Sequence, residues 1–106
     1  MQSDTEYEDA AHALMVRLEQ LIESRAPMID FDSENEILTL EFPDRSRIII
    51  NKQRPLKEIW VAARSGGYHY RYDESRQAWL REDGSEIIAD IERFATEQLQ
   101  APVALS

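Results

Sequence analysis

An α+β fold is predicted for this chain: a two-layer α-β sandwich in which about six antiparallel strands are flanked on one face by N- and C-terminal helices. Three observations point to it. Helical 3.6-residue spacing of apolar side chains is confined to the two ends of the chain. Between them lie short alternating segments separated by turn residues, with no helical crossover, so neighbouring strands pair antiparallel. A length of 106 residues with 42% apolar content suits one core, and a single domain over residues 1–106 is expected.

Residues 4–25 form the first expected helix, with Tyr7, Ala11, Leu14, Leu18, Leu21 and Ile22 on its apolar stripe. Ser3 or Asp4 serves as N-cap, and Pro27 ends the helix by disfavouring the α conformation at Ala26. At ~100° per residue, Glu8, His12, Glu19 and Glu23 share one polar strip beside that stripe. Glu19 and Glu23 are like charges on adjacent turns, a pairing that costs a few tenths of a kcal/mol.

Met28–Asp32 reads as a short strand with Ile29 and Phe31 inward and Asp30 and Asp32 outward. Ser33–Glu36 is a turn, Ile37–Phe42 a strand with Leu38, Leu40 and Phe42 on one face, and Pro43–Ser46 a second turn. Arg47–Asn51 is apolar on both sides in its centre and is expected inside the sheet. After the Arg54-Pro55 corner, the strand ending at Arg64 has a core face of Lys57, Ile59, Val61 and Ala63. Its other face carries Glu58, Trp60, Ala62 and Arg64. An indole set between two charges marks a face in contact with water and a candidate binding anchor. Covering of that face by helices or a loop, which would make Trp60 ordinary core, fits the same pattern. Gly66-Gly67 is read as a turn with positive φ, Tyr68–Tyr72 and Ala78–Arg81 as the last strands, and Trp79 as core. The second helix runs from Glu86 to about Gln100 with Ser85 as N-cap and Pro102 as stop, and the apolar tail 103–105 folds back onto the helices.

Charge is strongly segregated. Residues 1–36 hold ten acids against two bases, a net of −8 out of the whole chain's −9. Such a field repels nucleic acid and attracts cations or basic protein surfaces. Arg45, Arg47, Lys52, Arg54, Lys57 and Arg64 are the candidate basic surface, and the overall acidity argues against nucleic acid there. The absence of cysteine excludes disulfides, thiolate metal ligation and a cysteine nucleophile. No run approaches the ~20 apolar residues of a membrane span, and the acidic N-terminus lacks signal-peptide character, so a cytoplasmic protein is expected. No phosphate loop, dinucleotide fingerprint or HExxH motif is present.

The chemistry that has support is cation binding. Glu8, His12, Glu19, Glu23, Asp30, Asp32 and Glu34 supply oxygens and one imidazole suited to Fe²⁺, Fe³⁺, Mn²⁺, Mg²⁺ or Ca²⁺. Their spacing matches neither an EF-hand nor a facial triad. It implies an open ridge where one or two carboxylates meet a largely hydrated ion, with weak and poorly selective binding. A solvated acidic face with no ligand has the same composition.

The run Asn51-Lys52-Gln53-x-Pro55-x-x-x-Ile59-Trp60-Val61-Ala62, followed by Gly66-Gly67-Tyr68-His69-Tyr70, resembles the signature of the frataxin family, in its bacterial form. The likeness extends over nearly the whole chain, so residues 1–106 are expected to be one frataxin-like domain. The resemblance implies an α-β sandwich that binds Fe²⁺ and Fe³⁺ weakly and regulates iron–sulfur cluster assembly by docking on a cysteine desulfurase and its scaffold protein. It assigns the ridge to Glu19, Glu23, Asp30, Asp32 and Glu34, with Glu8 and His12 as outliers, and the sheet contacts to Asn51, Gln53 and Trp60. It implies a modulator, with a ferroxidase or iron-storage protein as the enzyme alternative, and a monomer with iron-induced oligomers. Glu58 stands where the family usually has Gln, which places an acid beside Trp60 and leads to the expectation of weakened or redirected partner contact.

Overall fold

The computed structural model describes residues 3–105, ordered as helix α1 (Asp4–Arg25), strands β1 (Asp30–Glu34), β2 (Ile37–Glu41), β3 (Arg47–Gln53), β4 (Glu58–Ala63), β5 (Gly66–Asp73) and β6 (Ala78–Leu80), and helix α2 (Ile87–Leu99). The six strands form one antiparallel sheet in sequence order, β1-β2-β3-β4-β5-β6. Both helices cover the same face. This is the α+β two-layer architecture read from the sequence.

Local chemistry sets the boundaries. Ser3 and Glu6 close a capping box at the start of α1: the Glu6 amide donates to the Ser3 hydroxyl at 3.1 Å and the Ser3 amide to the Glu6 carboxylate at 3.0 Å. After Pro27 the Ile29 amide bonds the Ala26 carbonyl at 2.9 Å, so the chain turns once more and β1 opens at Asp30, two residues later than expected. Asn35 and Glu36 take left-handed φ values of 53° and 65°, closing a two-residue hairpin between β1 and β2. Glu is unusual in that conformation, and Arg54 and Lys52 hold its carboxylate.

Three expectations are corrected, two around β4 and β5 and one at α2. Residues Arg54–Leu56 make a 3-10 turn and Lys57 has φ 53°, so Lys57 leaves the strand alternation and its ammonium meets Asp4 at 3.6 Å instead of facing the core. The Gly66-Gly67 pair opens β5. Register pairs Ala63 with Gly66, which leaves Arg64-Ser65 as the tight turn, and of the two glycines only Gly66 has positive φ. At α2 the N-cap is Glu86, whose carboxylate accepts from the Ile88 and Ala89 amides at 2.9 and 3.1 Å.

The core lies between helices and sheet. Tyr7, Ala11, Leu18 and Ile22 from α1 and Ile87, Ile91, Phe94 and Ala95 from α2 pack on Leu38, Leu40, Ile48, Ile50, Ile59, Val61 and Tyr70. Trp79 is buried there, as expected, edge-on to Tyr7 at 5.9 Å. The tail folds back: Val103 and Leu105 are buried, and the Leu105 amide donates to Glu92 at 2.7 Å. Two buried polar side chains tie α2 down. Asp90 accepts from the Tyr70 hydroxyl at 2.7 Å, and Gln98 accepts from the Arg64 amide at 3.0 Å while donating to the Arg47 carbonyl at 3.2 Å.

Candidate functional site

Alternation along each strand divides the sheet into a helix-covered face and an open one. Phe31, Leu40, Ile48 and Ile50 face the helices. The residues between them face solvent, and register arranges them in rows across the strands. One row carries Asp30, Glu41 and Arg47, another Glu34, Ile37, Asn51, Trp60 and His69, and a third Gln53, Glu58 and Arg71. The open face therefore runs from an acidic edge at β1 to a cationic and aromatic end at β5.

The structure separates the sequence-nominated acids into groups. Asp30, Asp32 and Glu34 are exposed on edge strand β1 and point to the open face, with Glu41 directly opposite Asp30. Glu19 is half-buried, and Glu23 and His12 are exposed, on α1, which packs on the other side of the sheet. Among the described residues no three carboxylate or imidazole groups come close enough to hold one ion. A closed coordination shell is not preformed among the described residues.

Glu8 has a different environment from the other ridge residues. The Arg54 guanidinium donates to it at 2.7 Å, Lys52 lies 3.8 Å away, and both cations also pair with Glu36. Lys52 is on the helix-covered face with its side chain 8% exposed. This four-charge knot fastens α1 to the β1–β2 turn and the end of β3. The candidate basic surface is largely compensated for the same reason: of its six members, Arg47, Lys52, Arg54, Lys57 and Arg64 each pair with an acid.

Asn51 lies opposite Trp60 and Gln53 opposite Glu58, so register brings the three nominated docking residues together on the open face. Trp60 is half-buried and stacks on His69, with ring centres 4.4 Å apart and planes 12° from parallel. No helix covers it.

The frataxin-like domain family matches residues 1–101 of the chain. This protein belongs to that family. An iron-sulfur cluster assembly protein CyaY from Delftia acidovorans is 43% identical over 101 residues, covering 91% of this chain and 90% of the relative. One from Paraburkholderia phymatum is 38% identical over 98% of both chains. A frataxin from Psychromonas ingrahamii superposes with a TM-score of 0.89 at 29% identity over 99% of each chain. A trimeric yeast frataxin from Saccharomyces cerevisiae, complexed with ferrous iron, shares the fold at a TM-score of 0.65, with 24% identity and coverage of 94% and 88%.

Within this frataxin-like domain, Glu58 stands beside Trp60 on the open face as expected, but it is buried and not in contact with water. It is 7% exposed. One carboxylate oxygen accepts the Trp60 indole N–H at 2.7 Å, and the other accepts the Arg71 Nε–H at 3.0 Å. Burial alone would raise its pKa; the Trp60 and Arg71 hydrogen bonds, with the positive charge of Arg71, outweigh burial and hold it below the ordinary carboxylate value.

Two contributors were not nominated from sequence. Glu41 adds a carboxylate beside Asp30, a placement that strand alternation and hairpin register together predict. Arg71 joins the Trp60 group through cross-strand pairing with Glu58. Only the β4–β5 register reveals it, and assigning the turn to Gly66-Gly67 gives a different register.

Proposed function

We propose that this chain is an accessory protein of iron–sulfur cluster assembly that binds Fe²⁺ or Fe³⁺ weakly and modulates a cysteine desulfurase bound to its scaffold protein. The observation that carries the proposal is the polarised open face: an edge of unpaired carboxylates at one end and an uncovered Trp60 toward the other. The names of the bacterial relatives support the assembly role. Asp30, Asp32 and Glu34, with Glu19 and Glu23, have no ion-pair partner among the described residues, so their field is available to an ion or a basic surface. Glu8 and His12 stay in the proposed set as peripheral members, Glu8 only where an ion displaces Arg54. Asn51, Gln53 and Trp60 form the proposed contact with the partner.

The role is modulation. Oxidation of iron at a bridged pair needs carboxylates converging from several elements, and no observation favours that arrangement here.

The test is a titration against the desulfurase–scaffold complex at low and high salt. Binding is expected to weaken as salt rises and to weaken at least roughly tenfold when Glu19, Glu23, Asp30 and Asp32 are changed to Lys. Binding of unchanged affinity after those changes rules out the acidic-edge reading. In NMR titrations with Fe²⁺, Mn²⁺ and Ca²⁺, perturbations centred away from residues 8–36 rule out the ridge as the ion site.

A further inference from the structure

We propose that Glu58 is a positioning residue: its buried carboxylate locks Trp60, His69 and Arg71 into one plate on the open sheet face and keeps its own charge away from the docking partner. The inference rests on the docking role given to Trp60 above.

The geometry uses both carboxylate oxygens. Oε1 accepts from Trp60 Nε1 at 2.7 Å and lies 3.6 Å from His69 Nδ1; Oε2 accepts from Arg71 Nε at 3.0 Å. Cross-strand register holds the four residues in place, Trp60 opposite His69 and Glu58 opposite Arg71. The acid is buried while the Arg71 and His69 side chains are 70% and 57% exposed, so what it organises faces outward and the acid itself does not. Without Glu58 the indole keeps its stack on His69 and loses the hydrogen bond that fixes the direction of its N–H.

The lock decides what a partner meets. The indole N–H is already satisfied, so Trp60 offers its ring and no donor. Arg71 is bonded through Nε, and its two Nη groups have no partner among the described residues. The plate therefore presents a stacked aromatic surface beside a guanidinium. It suits a segment bearing an apolar side chain and a carbonyl or carboxylate acceptor, and it disfavours a basic one.

The experiment begins with the free protein. The chain has two tryptophans, so its ¹H–¹⁵N spectrum has two indole resonances, and Trp60→Phe assigns them. In Glu58→Ala the Trp60 indole resonance is expected to move upfield and its hydrogen exchange to accelerate roughly tenfold or more, as loss of a charge-assisted hydrogen bond requires. The Trp79 resonance should not move, which reports an intact fold. Glu58→Gln keeps an oxygen acceptor for the indole and removes the negative charge that faces Arg71. It should retain the Trp60 resonance and shift Arg71 Nε–H, a readout that remains if the alanine variant does not fold. An unmoved Trp60 indole in Glu58→Ala, or an unmoved Arg71 Nε–H in Glu58→Gln, overturns the lock.

Affinity for the desulfurase–scaffold complex is then compared across Trp60→Ala, Glu58→Ala and Glu58→Gln. Weakening in the first two with rescue in the third supports positioning. Weakening in Trp60→Ala alone overturns it. No change in Trp60→Ala overturns the docking reading instead, while the free-protein spectra still decide whether Glu58 holds the plate.

Discussion

Asp32 and Glu58 are carboxylates on the same open sheet face, and the protein treats them in opposite ways. Asp32 stands exposed on an edge strand between two other acids, with no ion-pair partner among the described residues. Glu58 sits two strands inward from that edge strand's neighbour, buried, and bonded to an indole and a guanidinium. Burial without partners would be prohibitive for Glu58, and partners would cancel the field that Asp32 helps create. An acid that stabilises the fold must be neutralised. An acid with the proposed role of recruiting a cation must be left with its charge uncompensated.

The largest effect is expected at the other buried acid, Asp90, which accepts from the Tyr70 hydroxyl at 2.7 Å and lies 3.4 and 3.3 Å from Arg81 and Arg93. Asp90→Ala removes the acceptor that all three share. It should cost about 3 kcal/mol in chemical denaturation, against at most about 0.5 kcal/mol for Asp32→Ala. Similar losses from the two would mean that burial and pairing do not distinguish the two classes.

Next in size is binding. Reversing Glu19, Glu23, Asp30 and Asp32 together should raise the Kd for the desulfurase–scaffold complex at least roughly tenfold, or about 1.4 kcal/mol, without lowering stability. A loss of affinity accompanied by unfolding would return those acids to the structural class.

Acid pH separates the classes a third way. The folded-state pKa of Glu58 is below its ordinary value near 4.5, so its stabilisation is fully present above that value. It fades as pH falls through the folded pKa. Denaturation midpoints of the parent should decline below pH 4.5, and Glu58→Gln should remove part of that decline. Identical pH profiles would show that the Glu58 charge adds no stability.

The architecture was legible because it depends on periodicity. The α1 stripe, the alternation of Leu38, Leu40 and Phe42, and the apolar spacing of α2 each follow from one segment read alone. What failed to read depends on two segments meeting. The pairing of Glu8 with Arg54, 46 positions away, could not be read from α1 alone. Glu58 looked outward because alternation gives the face and not the depth; its burial comes from Arg71 and His69 across the β4–β5 pair. The β1 acids were legible as exposed, since an edge strand after a proline-terminated helix leaves Asp30 and Asp32 nothing to pair with locally.

The smallest effect is the most direct test of an uncompensated ridge. Neutralising one of its acids, as in Asp30→Asn, relieves repulsion with Asp32 and, less so because Arg47 lies 3.6 Å from its carboxylate, with Glu41 directly opposite. The gain should be a few tenths of a kcal/mol, or about 1–3 °C in Tm. Millimolar Mn²⁺ or Ca²⁺ should produce a rise of the same sign in the parent by binding the folded state, and a smaller rise in Asp30→Asn. Salt screens the same repulsion, so the mutational gain should shrink toward zero near 1 M NaCl, where the Debye length is about 3 Å. A gain that persists at high salt would come from packing or hydrogen bonding, and the ridge would then be a solvated surface and not a field held open for a cation.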